Sequence, residues 1–275
     1  MIVREIQAER IISATKIQLA DYVINHYTGC QYSCLYCYAR YLKRTRKRNE
    51  NWGEYVDVKV NAVQLLKKEL PAIKKGRVMI GSISESYQPI EKKYGLTAEI
   101  LDTLHKFGIE EIVLLTRSDL ILRDIELLKK FKKSTIFFTI SGKDPLIKRF
   151  ENNTPSYEKR INAIISLIEN SINVWTHLGP IIPYFLDPLE IIGDLKDKAG
   201  KIEFESLNAT TAPLDAIVEN LKNIDNAKAE MLRSLYSNTD DYKIFWIEEK
   251  RKILETAKKM NIKTFFSFPA LNEYF

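Results

Sequence analysis

Along this chain a short apolar run rich in β-branched residues, a polar turn and a stretch of helical periodicity follow one another repeatedly. Apolar runs at 77–83, 111–116, 135–141, 173–181 and 201–207 predict strands, and an earlier run at 20–25 leads straight into the cysteines. Between them, 63–70, 98–107, 121–131 and 157–169 carry apolar residues at helical spacing and predict amphipathic helices. Thr97 and Ser156 stand where side-chain N-caps are expected for two of these helices.

Strands that alternate with helices of this length imply a parallel sheet with βα crossovers. The expected class is therefore α/β, with six units closing part-way into a (β/α)6 TIM-like barrel. Such a barrel presents its reactive groups at the C-terminal ends of its strands. The polar residues there are Asn25 and His26, Ser82 and Ser84, Thr116 and Arg117, Thr139 and Ser141, then His177 and Asn208. From Pro213 onward the alternation breaks down. Helix-like segments at 227–236 and 242–260 and a last apolar run at 263–268 follow. The expected organisation is a barrel core over 1–212 and an α-rich C-terminal extension, 213–275, packed on it.

Composition changes this picture little. Hydrophobic residues make up 45% and charged residues 28%, the profile of a globular protein. No run reaches the roughly 18 apolar residues of a membrane-spanning helix, and the first residues lack the layout of a secretory signal, so a cytoplasmic location is expected. The net charge of +6 fits an anionic partner and equally fits an ordinary lysine-rich surface. Lys43, Arg44, Arg46, Lys47 and Arg48 form a basic run, with Tyr38, Tyr41, Trp52 and Tyr55 around it. Basic and aromatic residues together suit a nucleic-acid strand, whereas a solvated helix face is the commoner use of a charge run.

The chemistry is concentrated in Gly29-Cys30-Gln31-Tyr32-Ser33-Cys34-Leu35-Tyr36-Cys37-Tyr38-Ala39-Arg40, which holds all 3 cysteines of the chain. An odd number packed this closely makes a poor disulfide framework and points to metal. Three thiolates in a C-x3-C-x2-C spacing can hold three irons of a 4Fe–4S cubane, where most such clusters use four cysteines. The remaining iron is then open to the amino and carboxylate groups of a methionine moiety, as in S-adenosylmethionine (SAM). Two other readings stay open on spacing alone: a zinc site completed by His26, and a plain electron-transfer cluster.

The motif, with its aromatic just before the last cysteine, resembles the signature of the radical SAM superfamily. The resemblance extends to its spore photoproduct lyase-like (DNA repair photolyase-like) branch. It is carried by residues 29–40, 52–61, 86–91, 115–118, 151–160 and 180–183. It implies a partial barrel of the radical SAM type and reductive cleavage of SAM to a 5′-deoxyadenosyl radical. An external electron donor of the flavodoxin or ferredoxin type goes with that chemistry. By position, the resemblance implies Cys30, Cys34 and Cys37 as cluster ligands and Tyr36 near the adenine. Ser82 and Ser84 would receive the methionine amino group, reasoned to face one side of a strand with Ile83 between them. Arg117 would pair with the SAM carboxylate, Ser141 would meet the ribose, and Asn208 would lie near the adenine. Spore photoproduct lyases proper use a further cysteine as hydrogen-atom donor, and this chain has none beyond the three. Tyr87 and Tyr184 are the strand-end candidates for a substitute donor or radical relay. The resemblance leaves the substrate open, with nucleic acid as one candidate.

Overall fold

The computed structural model describes residues 1–42, 45, 48–74, 76–195, 200–208 and 213–271. They form two compact units: Met1–Ser33, Ala39–Phe138 and Asn153–Val174 make one, and Cys34–Tyr38, Thr139–Asn152 and Trp175–Phe275 the other.

In the first unit the long apolar runs become strands because both of their faces are covered. β2 (Ile12–Ala14), β3 (Tyr22–Ile24), β6 (Val78–Ile80), β7 (Glu111–Thr116) and β8 (Lys133–Ile140) lie side by side in that order. All neighbours run parallel except β2, which pairs antiparallel with β3. A separate sheet holds β1 (Ile2–Ile6) parallel to β5 (Tyr55–Lys59), with β4 (Tyr27–Thr28) antiparallel on the other side of β5. Tyr27, Val56 and Val58 of this sheet bury against Leu96. The helix Tyr157–Glu169 turns Ala163, Ile164 and Leu167 inward, and Ser156 caps it by accepting from the Lys159 amide at 3.4 Å, as predicted.

Three local expectations are corrected. The segment 121–131 is a 3-10 turn, Asp119–Asp124, followed by a four-residue helix, Ile125–Leu128. Ser118 caps the turn, and the buried Asp124 carboxylate is taken by the neighbouring Arg123 at 2.8 Å. Thr97 is no N-cap. Gly95, at φ 64°, begins the helix Leu96–Lys106, and Thr97 sits buried one residue inside it. The strand at 77–83 ends at Ile80, because Gly81 takes φ 80° and turns the chain out of the sheet. Ser82 and Ser84 therefore lie in a loop, where strand alternation does not govern them.

The second unit carries β9 (Asn173–Ile181), β10 (Lys201–Ser206) and β11 (Lys263–Ser267), all parallel. The final apolar run thus supplies a strand alongside β10. The helix Thr239–Lys259 packs Trp246, Ile253 and Ala257 inward. Trp246 meets Phe268 with ring centroids 4.8 Å apart, and Phe266 stacks on Phe204 at 5.4 Å. The helices Leu214–Lys222 and Asn226–Ser237 complete the unit. Among the described residues, no helix is long and apolar enough to cross a membrane.

Candidate functional site

The cysteine loop begins where β4 ends. Gly29 takes φ 88°, and a Cβ there would lie 2.2 Å from the Tyr55 carbonyl oxygen, so the loop must open on glycine. Two tight turns follow, closed by the Ser33 amide on Cys30 O and the Cys37 amide on Cys34 O, each at 3.2 Å. Side chains brace the first turn. Gln88 accepts from the Gln31 amide at 2.9 Å, and Ser33 Oγ donates to Trp52 O at 3.1 Å. The second turn is tied by the Leu35 amide to Phe150 O at 2.9 Å.

Cys30 and Cys34 are buried, Cys37 is half-buried, and no disulfide joins them. Among the described residues, no three His, Cys, Asp or Glu side chains are already gathered at metal-binding separation. The fit to a metal therefore rests on donor chemistry: three reduced thiols on one short, glycine-hinged loop. That donor set fits a thiolate-held iron–sulfur cluster. His26 is committed elsewhere. Thr97 Oγ1 donates to Ser86 O at 2.8 Å, so the contact with His26 Nε2 at 2.9 Å has the imidazole donating. Burial, then the charge on Lys59, lowers the pKa of His26 to about 3, so it stays neutral.

Past β6, the loop that holds Ser82 and Ser84 is tied back to the end of β3. Asn25 Nδ2 donates to Ser82 Oγ at 3.0 Å, and its Oδ1 accepts from the Ile83 amide at 3.1 Å. Ser84 Oγ donates to Tyr27 O at 3.3 Å. The two serines therefore have separate anchors, both on the segment that leads into the cysteines. Glu85 joins this loop to the end of β7. Its carboxylate accepts from Thr116 Oγ1 at 2.7 Å and from the amides of Tyr87 and Arg117, each at 3.0 Å. Burial still outweighs these donors and the charge of Arg117, and raises its pKa above the usual carboxylate range.

In the second unit, Tyr36 and Ser141 come together although 105 residues separate them in sequence. Tyr36 Oη and Ser141 Oγ are 2.8 Å apart, and Ser141 Oγ donates to Gly179 O at 2.7 Å. The carboxyl of Glu151, fully buried, is the second partner of the Tyr36 hydroxyl. Asn208 follows β10, half-buried, beside the Leu207 carbonyl that accepts from Tyr236 Oη at 2.7 Å.

The remaining candidates divide by burial. Tyr87 is fully buried, and burial with Asp124 nearby raises its pKa well above the ordinary value. Tyr184 is half-buried at φ 68°, edge-on to Phe245 at 5.5 Å. His177 lies between Glu203, at 2.9 Å from Nδ1, and Glu205, at 3.1 Å from Nε2. Burial opposes its charge, but the Glu203 charge and the hydrogen bonds to both carboxylates raise its pKa to about 10.

Of the basic run, Lys43, Arg44, Arg46 and Lys47 lie outside the described residues. Arg48 is occupied: it forks onto Asp57 at 2.7 and 3.2 Å and stacks 4.0 Å from the Tyr55 ring centroid. Trp52 and Tyr55 are core residues, whereas Tyr38 and Tyr41 are exposed. The expected aromatic surface therefore shrinks to these two tyrosines.

Glu85, Glu151 and Glu203 were given no site role by the sequence. Asn25 had a signal in its strand-end position. Glu151 opens the segment 151–160 that carries the resemblance, but nothing in the sequence gave the glutamates their roles, since their partners lie tens of residues away and a lone Glu reads as surface.

The sequence profile described as "Radical SAM superfamily" matches residues 24–195. An uncharacterized protein of Methanocaldococcus jannaschii is 42% identical over 205 residues, covering 74% of this chain and 77% of that protein. An uncharacterized protein of Mycobacterium tuberculosis is 26% identical over 182 residues, covering 63% of this chain but 53% of the relative. Solved structures of spore photoproduct lyase match with a TM-score of 0.58 at 17% identity, covering 74% of this chain. One further match, at 0.57, is that enzyme complexed with a dinucleoside spore photoproduct. This chain spans 61% of the length of the matched lyase chains. At that identity the likeness establishes the fold: a mixed α/β partial barrel with parallel strands and a helical C-terminal part. The superfamily implies SAM, an iron–sulfur cluster and a source of electrons. The profile match covers most of the chain and encloses the three-thiol loop, and by it the chain belongs to the radical SAM superfamily.

Proposed function

We propose that this protein is an enzyme that reductively cleaves SAM at a 4Fe–4S cluster held by Cys30, Cys34 and Cys37, and directs the resulting 5′-deoxyadenosyl radical at a substrate still to be identified. The observation that carries the reading is the loop of three reduced thiols, with no fourth cysteine in the chain, inside the region that matches the superfamily. When bound, the cluster supplies the electron for C–S cleavage, drawn from a flavodoxin- or ferredoxin-type donor.

The protein's own residues bind and orient. Arg117 would take the SAM carboxylate, with its backbone fixed by Glu85. Ser82 and Ser84, fixed through Asn25 and Tyr27, would face the amino end. Tyr36 and Ser141 would meet the adenosine, and Asn208 the adenine edge. As substitute hydrogen donor, the half-buried Tyr184 is preferred to the fully buried Tyr87. We assign 1–212 to the catalytic barrel and 213–275 to an extension, and place the protein in the reducing cytoplasm, where cysteines stay out of disulfides. Nucleic acid stays a candidate substrate, supported by the net charge of +6.

The test is anaerobic reconstitution followed by dithionite and SAM. About four irons per chain and release of 5′-deoxyadenosine are expected. Cys30→Ala, Cys34→Ala and Cys37→Ala should each lose iron and product while keeping the far-UV circular dichroism. Arg117→Ala should weaken SAM binding by about 10- to 100-fold, the range of a lost charge-assisted hydrogen bond. A colourless, zinc-loaded protein that leaves SAM intact would instead support a non-catalytic metal-knot protein that binds nucleic acid.

A further inference from the structure

Two glutamines clasp the first turn of the cysteine loop. Gln88 Oε1 accepts from the Gln31 amide at 2.9 Å, and Gln31 Oε1 in return accepts from the Ile90 amide. Asn153 Nδ2 donates to Gln31 O at 3.1 Å, and the Glu91 amide closes a turn on Gln88 O at 2.8 Å. Both backbones are therefore fixed where the side chains cross. Gln88 is fully buried. The Gln31 group that faces it is an N–H, so the amide of Gln88 has one orientation: its oxygen meets Gln31 and its nitrogen takes the other branch. Among the described residues that nitrogen, Nε2, meets no acceptor. A buried donor without an acceptor is destabilising, and in a native fold it calls for a bound water, an ion or a redox role. Gln31 directly follows Cys30, so this donor is held at the turn that the first thiol opens.

We propose that Gln88 is a positioning residue for the cluster: Oε1 sets the turn that opens at Cys30, and Nε2 donates to the anionic sulfurs that the cluster brings to that turn. This rests on the proposed cluster at Cys30, Cys34 and Cys37. Hydrogen bonds to the sulfurs are among the features that set the reduction potential of such a cluster. The reduced cluster carries one more electron than the oxidised one, so a donor to sulfur stabilises the reduced form more. Gln88 thereby raises the potential and eases the electron's entry. Burial keeps this bond out of competition with water. Glutamate at the same position would still accept from Gln31, but it would have no hydrogen to give and would add a repelling charge.

The test uses the reconstituted protein without SAM, its glutamine side chains labelled with heavy nitrogen, in four forms: wild type, Gln31→Leu, Gln88→Glu and Gln88→Met. Pulsed EPR of the reduced cluster should show a coupling to side-chain nitrogen in the wild type. That coupling should persist in Gln31→Leu, which gives up only the tie to Ile90, and vanish in both Gln88 variants. In a redox titration Gln88→Met should lower the reduced-to-oxidised ratio at fixed potential about tenfold, the weight of one hydrogen bond to a charged group. For a one-electron couple that is a midpoint about 59 mV more negative. Gln88→Glu should fall further, and Gln31→Leu should keep the wild-type midpoint. A wild type with no such coupling, or a Gln88→Met with the wild-type midpoint, would overturn the proposal and leave Nε2 to a bound water. So would a coupling that appears only after SAM is added, or a midpoint in Gln31→Leu as low as in Gln88→Met, which would reduce Gln88 to a clasp. Should the Gln88 variants fail to load iron, the couplings of wild type and Gln31→Leu still decide. A protein that takes up zinc and no iron would overturn both this proposal and the proposed function. A cluster that shows the coupling yet leaves SAM intact would refute the proposed function alone.

Discussion

The opening of the cysteine loop gives a prediction whose size follows from geometry. Gly29 and Gly95 both sit at positive φ, 88° and 64°. A Cβ on Gly95 would meet nothing within 4 Å, whereas one on Gly29 would lie 2.2 Å from Tyr55 O and 2.9 Å from two Tyr55 ring carbons. Alanine at either position incurs about 1–2 kcal/mol for the left-handed conformation. It recovers roughly 0.4–1 kcal/mol by restricting the unfolded chain. Gly95→Ala should therefore cost about 1 kcal/mol. Gly29→Ala adds overpacking of about 1–3 kcal/mol, because Tyr55 is fully buried in β5, paired to β1, and has no room to retreat. The difference should be about 2 kcal/mol by urea unfolding, or about 4 °C in Tm for a chain of this size. Iron retention after reconstitution should fall in Gly29→Ala only. Two variants with equal midpoints would show that the loop yields freely at its first residue, and the steric argument would fail.

Two further outcomes follow from buried charge. Glu91 is fully buried and accepts from Tyr27 Oη at 2.6 Å, Arg123 at 2.8 Å and the Thr97 amide at 2.9 Å. Glu91→Ala should destabilise by about 3 kcal/mol, the lower end for breaking a buried pair, because Arg123 keeps Asp124 at 2.8 Å; a urea midpoint that corresponds to less than about 1 kcal/mol would contradict this. His177 has a pKa raised from 6.5 to about 10 in the folded protein. Its contribution is complete below pH 6.5 and is lost as pH rises through about 10. Urea midpoints of wild type should therefore fall over that window more steeply than those of His177→Gln, and parallel profiles would remove the ion pair from the account.

Some of this protein was written locally. β7 and β9 have the bounds that the apolar runs at 111–116 and 173–181 predict, and Tyr157–Glu169 follows directly on the serine expected to cap it. The three-thiol motif was legible in its spacing, which by itself left a zinc site and an electron-transfer cluster open as well. Other positions were decided against local pattern. Thr97 looked like a cap and was drawn inside by His26 and Ser86. Ser82 and Ser84 looked like one face of a strand until Gly81 turned the chain. Arg48 looked like part of a phosphate-binding surface and was claimed by Asp57.

Periodicity and spacing report what a residue does with its near neighbours, and that sufficed for the strands, one helix cap and the cysteine motif. The glutamates are different in kind. Glu85 serves Thr116, Glu91 serves Tyr27, and Glu151 serves Tyr36 across 115 residues. A carboxyl can be buried only where donors from distant segments converge on it. That convergence is created by the fold, so tertiary structure alone decided which of the chain's many acidic residues are buried and which distant donors they serve.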